Sequence, residues 1–118
     1  MSTDKKEKSI IFKMLDLSTQ HIRQSTFDTM RNGADIPGVV YYEKRDDYGL
    51  YGFFIHINED IVNGLEDTDG IPKDLLDCIM YAAGKGCDWI NLDADGTVES
   101  GVPLYNGDEV ANNISVNE

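Results

Sequence analysis

Residues Gly49 to Ile57 read GLYGFFIHI, a run of strand length whose large apolar side chains fall on both faces of an extended chain. Such a segment is a poor edge strand with one face in water, so it is expected inside a sheet, with both faces covered in part. Val39 to Glu43 (VVYYE) precedes it across Lys44-Arg45-Asp46-Asp47-Tyr48, and the two runs together predict a hairpin.

The remaining elements are read outward from that hairpin. Ile10 to Leu17 (IIFKMLDL) is a short apolar run that predicts a first strand, and Thr19 to Asn32 predicts a helix closed by Gly33, starting as late as Ser25. Asn58 to Gly70 is acidic and punctuated, a loop or short helical turn pinned by Ile61, Val62 and Leu65. Pro72 opens the clearest helix: Leu75, Leu76, Ile79, Met80, Ala82 and Ala83 make an apolar stripe before Gly84 and Gly86 end it. Cys87 to Leu92 predicts the last long strand, followed by an Asp95-Gly96 turn. The order β-α-β-β-α-β predicts an α+β domain of the ferredoxin-like, split βαβ kind, with the first and third strands central and both helices on one face. A short fifth strand at Thr97 to Val102 is the variant. The domain is expected over residues 10–106, between a charged arm (1–9) and an acidic tail (107–118) that frays.

At 118 residues and 41% apolar composition the chain supports one core. Its formal charge is −12, and the charge is unevenly placed. Residues 1–45 hold eight basic and six acidic side chains, whereas residues 46–118 set only Lys73 and Lys85 against sixteen carboxylates. That balance argues against a direct grip on nucleic acid phosphates or an anionic membrane, both of which need clustered cations. It favours steering toward a basic partner. The beginning of the chain lacks the apolar core of a signal peptide, and no run approaches a membrane span, so a cytoplasmic location is expected.

Motifs for catalysis are sparse. Asp93-Ala94-Asp95-Gly96 resembles the start of a calcium loop, but glycine and Glu99 fall at the wrong positions for an EF-hand. No serine or cysteine sits in a nucleophile elbow, and Gly84-Lys85-Gly86 follows a helix end, where the dipole repels phosphate. Cys78 and Cys87 form no CxxC and are expected as buried or free thiols. His21 and His56 are expected on neighbouring elements, where with Asp93 and Asp95 they could form an acid–base or metal site. The aromatics of the hairpin resemble a base-stacking sheet, yet without a basic rim they are expected as core on one face and a protein-contact patch on the other.

Leu17-Ser18-Thr19-Gln20-His21-Ile22, Gly86-Cys87-Asp88-Trp89, Asp93-Ala94-Asp95-Gly96 and Leu104-Tyr105 together resemble a family of small uncharacterised bacterial domains with STxHI, GCDW and DxDG motifs. The resemblance spans roughly residues 15–106 and implies occurrence on plasmids, prophages and genomic islands, with no assigned activity.

The expectation that follows is a non-enzymatic acidic protein without a cofactor, which binds a basic surface of a partner protein. The mobile-element context implies a nucleic-acid-binding defence complex, such as a CRISPR effector or restriction enzyme, engaged by charge mimicry of nucleic acid. The candidate contact residues are Glu59, Asp60, Glu66, Asp67, Asp69, Asp93, Asp95, Glu99, Asp108 and Glu109. The alternatives are the histidine site above and a homodimer formed through the aromatic sheet.

Overall fold

The computed structural model describes residues 9–111. Four strands form the main sheet: β1 (Met14–Ser18), β2 (Tyr41–Asp46), β3 (Gly49–His56) and β4 (Trp89–Asp93). The helices are α1 (Gln24–Arg31), α2 (Glu59–Val62) and α3 (Lys73–Gly84), with a 3-10 turn over Thr19–His21 after β1. A two-stranded ribbon, β5 (Tyr105–Asn106) and β6 (Glu109–Val110), ends the described chain.

The α+β class and the β2–β3 hairpin agree with the sequence reading, but the strand order does not. The order is β1-β4-β3-β2, with β1 parallel to β4 and the other pairs antiparallel. A ferredoxin-like sheet would place β1 beside β3; here β4 lies between them and β1 is an edge. The apolar count that favoured a central β1 came from Ile10, Ile11 and Phe12, which precede the strand and are 82%, 80% and 63% exposed. Thr97 to Val102 is a loop, not a fifth strand, tied to β1 by the Ser18 N–H on the Thr97 carbonyl at 2.8 Å. The ribbon crosses the expected domain end at residue 106 and orders the chain to Val110; residues 112–118 of the predicted tail, and 1–8 of the arm, lie outside the described residues.

Strand alternation divides the sheet into two unlike faces. Leu17, Phe53, Ile55, Ile90 and Leu92 share one face and are fully buried, with Leu15 and Tyr41 partly buried beside them. Met30 of α1 and Leu75, Ile79 and Ala82 of α3 close this core. Phe53 is its centre, with the Phe27 and Tyr41 rings edge-on at 5.3 and 5.6 Å. Burying a side chain of this size stabilises the fold by about 1.5–3 kcal/mol. The reverse face carries Met14 and Asp16 of β1, Trp89, Asn91 and Asp93 of β4, Gly52, Phe54 and His56 of β3, and Tyr42 and Lys44 of β2.

Helix α1 has no side-chain cap of its own, and its first amides are satisfied from elsewhere in the chain. The buried Asp74 carboxylate of α3 accepts from the Arg23 N–H (2.7 Å) and the Thr26 hydroxyl (3.0 Å). The Ser25 N–H donates to Asp108 at 2.8 Å, and the Gln24 N–H to the Gly107 carbonyl at 2.9 Å. The helix starts at Gln24 because these acceptors stand there.

Candidate functional site

Three of the four family-like motifs meet at the C-terminal end of the parallel pair β1 and β4, while Gly86–Trp89 leads into its other end. Gly96 lies so close to β1 that a Cβ there would fall 2.2 Å from the Leu17 carbonyl oxygen, which accounts for glycine in the Asp93–Gly96 turn. Asp16 accepts from both the N–H and the hydroxyl of Thr97, at 3.1 and 2.7 Å, and Ser18 receives the Gln20 N–H at 3.0 Å. His21 is 1% exposed, its Nδ1 facing the Pro103 carbonyl at 2.8 Å and its Nε2 facing the Glu99 N–H at 3.0 Å. A carbonyl can only accept and an amide can only donate, so the ring carries its proton on Nδ1 and accepts at Nε2. Both nitrogens are thereby occupied in clamping the loop between β4 and β5.

His56 lies elsewhere. It is exposed on the reverse face of the sheet, opposite Trp89 in the register, at the other end of β4 from the His21 clamp. Its ring meets Trp89 edge-on at 5.0 Å. The two imidazoles therefore do not meet, which corrects the expectation that neighbouring strands bring them together; β4 intervenes, and His21 turns into the core. Among the described residues no group of three His, Cys, Asp or Glu side chains is placed to hold a metal ion.

A polar network that the sequence reading missed crosses the reverse face. Lys44 pairs with Asp93 at 2.5 Å and with Asn91, although β3 separates their strands. The register puts Gly52 between Lys44 and Asp93, and the absence of a side chain there lets Lys44 reach across. The ammonium is nearly sealed, with Tyr51 and Phe54 rings at 5.2 and 5.0 Å. The hydrogen bond from Lys44, seconded by the Asp95 N–H, holds the Asp93 carboxyl below the usual carboxylate range. Asn91 extends the network to Asp16 at 3.2 Å. Only the cross-strand offset of Lys44, Gly52 and Asp93 could have signalled it, and that offset requires the strand order.

The ten candidate contact carboxylates fall into separate groups. Glu59 and Asp60 on α2 and Glu66, Asp67 and Asp69 on the connection to α3 are all exposed. Asp93 ends β4 at the opposite end of the sheet, since β3 and β4 are antiparallel, and Asp95 and Glu99 follow it in the loop beyond. Four of the ten are engaged internally: Asp93 with Lys44, Glu99 as acceptor of the Tyr81 hydroxyl at 2.7 Å, Asp108 as the cap of α1, and Asp67 as acceptor of the Asp69 N–H at 3.0 Å within its own turn. The Ser25 N–H holds the Asp108 carboxyl below its ordinary range. Asp95 and Glu109 are exposed on the loop and ribbon.

Beside α2 lies an open cleft of about 760 Å³, between the end of β3 and the turn from α3 to β4. Glu59, Asp60 and Asp88 give its wall three carboxylates, His56 and Cys87 also line it, and among the described residues no lysine or arginine does. Cys78 is the buried thiol, pushed up to about 12 by desolvation and by the carboxylates of Asp74 and Asp77.

Comparison with protein families agrees with the resemblance to an uncharacterised domain. Residues 14–107 match the model of the C-terminal domain of a family of unknown function, DUF5983. No curated protein and no solved structure matches the chain.

Proposed function

The chain belongs to this family of unknown function, and on that premise we propose that it is a non-enzymatic acidic protein that binds a basic surface of a partner protein. The contact centres on Glu59, Asp60, Glu66, Asp67 and Asp69. One observation carries the reading: all five are exposed, and among the described residues none is in an ion pair. Asp93, Glu99 and Asp108 hold the fold together, whereas the only internal bond to these five carboxylates among the described residues is the local one from the Asp69 N–H to Asp67. The His21 clamp points the same way, because the ring is buried and both of its nitrogens are bonded to backbone groups.

The partner class is a protein with a phosphate-binding groove, such as a nucleic-acid-handling defence enzyme encountered by a mobile element. Carboxylates on one connection occupy cation sites built for a nucleic acid backbone, and the net charge of −12 accelerates the encounter. Exposed charge pairs contribute about 0.2–1 kcal/mol each, so neutralising all five weakens binding by about 1–5 kcal/mol. The test is capture of bacterial nucleic-acid-binding proteins on the immobilised protein, comparing wild type with the fivefold Asp→Asn and Glu→Gln variant. A partner retained at low salt, released by moderate salt and lost with the variant supports the reading; capture indifferent to the five changes defeats it.

A further inference from the structure

We infer that Asn106-Gly107, in the turn of the β5–β6 ribbon, is a self-modification site: Asn106 deamidates through attack by the Gly107 amide nitrogen, and the isoaspartate formed releases the N-terminal end of α1. The chain holds three Asn-Gly pairs, Asn32-Gly33, Asn63-Gly64 and Asn106-Gly107. This is the dipeptide in which the attack is least hindered, because glycine has no Cβ beside the nitrogen and leaves the backbone free to turn. All three asparagines are exposed. What separates the pairs is the state of the glycine nitrogen.

The Gly33 N–H donates to the Met30 carbonyl at 3.0 Å, and the Gly64 N–H to the Ile61 carbonyl at 3.2 Å. Each of these bonds fixes the nitrogen on an acceptor and must break before it can turn on the neighbouring carboxamide. Among the described residues the Gly107 N–H has no such backbone acceptor. Gly107 opens the turn between β5 and β6 at φ 66°, and the ribbon it joins is two pairs long, Tyr105 with Val110 and Asn106 with Glu109. A ribbon this short has little stability of its own with which to resist the rotation that brings nitrogen and carboxamide together.

In the reaction the Gly107 nitrogen bonds to the Asn106 Cγ, the bond from Cγ to Nδ2 breaks, and the proton lost by the glycine nitrogen leaves with the amine as ammonia. Water then opens the cyclic imide. Opening at Cγ gives aspartate with the backbone unchanged; opening at the main-chain carbonyl gives isoaspartate, whose chain runs through Cβ and Cγ and is one methylene longer. Nothing is oxidised or reduced, and water is the one co-reactant. The extra methylene falls where the ribbon holds α1: the Gly107 carbonyl accepts from the Gln24 N–H at 2.9 Å, the Asp108 carboxylate from the Ser25 N–H at 2.8 Å, and the Asp108 carbonyl from the Arg23 Nε at 3.0 Å. Because α1 has no side-chain cap of its own, displacing this turn strips its first amides of their acceptors. The change leaves the carboxylates of residues 59–69 untouched, so this inference stands or falls separately from the proposed function.

Peptide mapping by mass spectrometry, after incubation of the intact protein at mildly alkaline pH, tests it. In the folded protein Asn106 should convert about 2- to 13-fold faster than Asn32 or Asn63, the rate equivalent of the one hydrogen bond that those two sites must break. In denaturant the three rates should converge, and Asn106→Gln, whose longer side chain closes the ring poorly, should abolish conversion at this position. In the separated isoaspartyl form the Gln24 and Ser25 amides should lose hydrogen-exchange protection while Ile90 and Leu92 keep theirs. Asn106→Asp, which adds the charge without lengthening the backbone, should retain protection at Gln24 and Ser25. Conversion of Asn106 no faster than that of the other two asparagines in the folded protein overturns the inference. So does an isoaspartyl form whose Gln24 and Ser25 amides stay as protected as in wild type, or an equal loss of protection in Asn106→Asp.

Discussion

Replacing His21 with alanine removes a side chain that joins β1 to the loop before β5 through two hydrogen bonds. The imidazole is 1% exposed, and its loss leaves the Glu99 N–H and the Pro103 carbonyl facing an emptied site. An unsatisfied buried donor or acceptor costs about 1–3 kcal/mol, and the cavity adds to that. Pro103 and Glu99 are only partly buried, so water meets some of the need, and the expected total is about 3 kcal/mol. For a domain of this length that lowers Tm by roughly 12 °C. Urea denaturation gives the free energy, and amide hydrogen exchange gives the location: protection of the Glu99 N–H should fall by more than that of Ile90 or Leu92. A variant with wild-type stability and unchanged Glu99 protection would refute the clamp and return His21 to the list of chemical candidates.

Three further outcomes follow from the same geometry. Gly52→Ala places a Cβ 2.0 Å from the Leu92 carbonyl oxygen and obstructs the path of Lys44, so urea denaturation should show a loss of about 1–3 kcal/mol or more. Asp93 is held below the ordinary carboxylate range, so its contribution is present above its unfolded value near pH 3.9 and is lost as pH falls through the lower folded value. The stability difference between wild type and Asp93→Asn should therefore be larger at pH 6 than at pH 3, and an equal difference would refute the pairing with Lys44. In thiol titration of the native protein, half-buried Cys87 should react and Cys78 should not, because burial and neighbouring carboxylates keep it protonated; both should react in denaturant.

Local pattern revealed most of the elements. Helix α3 begins one residue after Pro72 and ends at Gly84, and β3 ends one residue short of the apolar run that announced it. The helix predicted over Thr19 to Asn32 divides into a 3-10 turn and α1, because Asp74 and Asp108 supply acceptors that fix the start at Gln24. Those partners lie 51 and 83 positions away in sequence, beyond the reach of any periodicity. Strand order failed for a related reason: an apolar run states how much surface needs covering and not which strand covers it. Asp16 in mid-strand, whose carboxylate binds the Thr97 loop, was the available sign that β1 is an edge. At the site, the exposed acids of residues 59–69 were legible from composition. Lys44, Asn91 and Asp74 were not, because each acquires its role through a contact made only when distant segments meet.

The claim that the exposed carboxylates take the place of a nucleic acid backbone is tested most directly by competition. A captured nucleic-acid-binding partner is loaded with labelled duplex DNA, and the protein is titrated in at fixed salt. Displacement of the duplex by wild type, with the fivefold variant at Glu59, Asp60, Glu66, Asp67 and Asp69 requiring about 5- to 5000-fold more protein, is the predicted result. Simultaneous binding of protein and duplex, or displacement equally efficient with the variant, would contradict it.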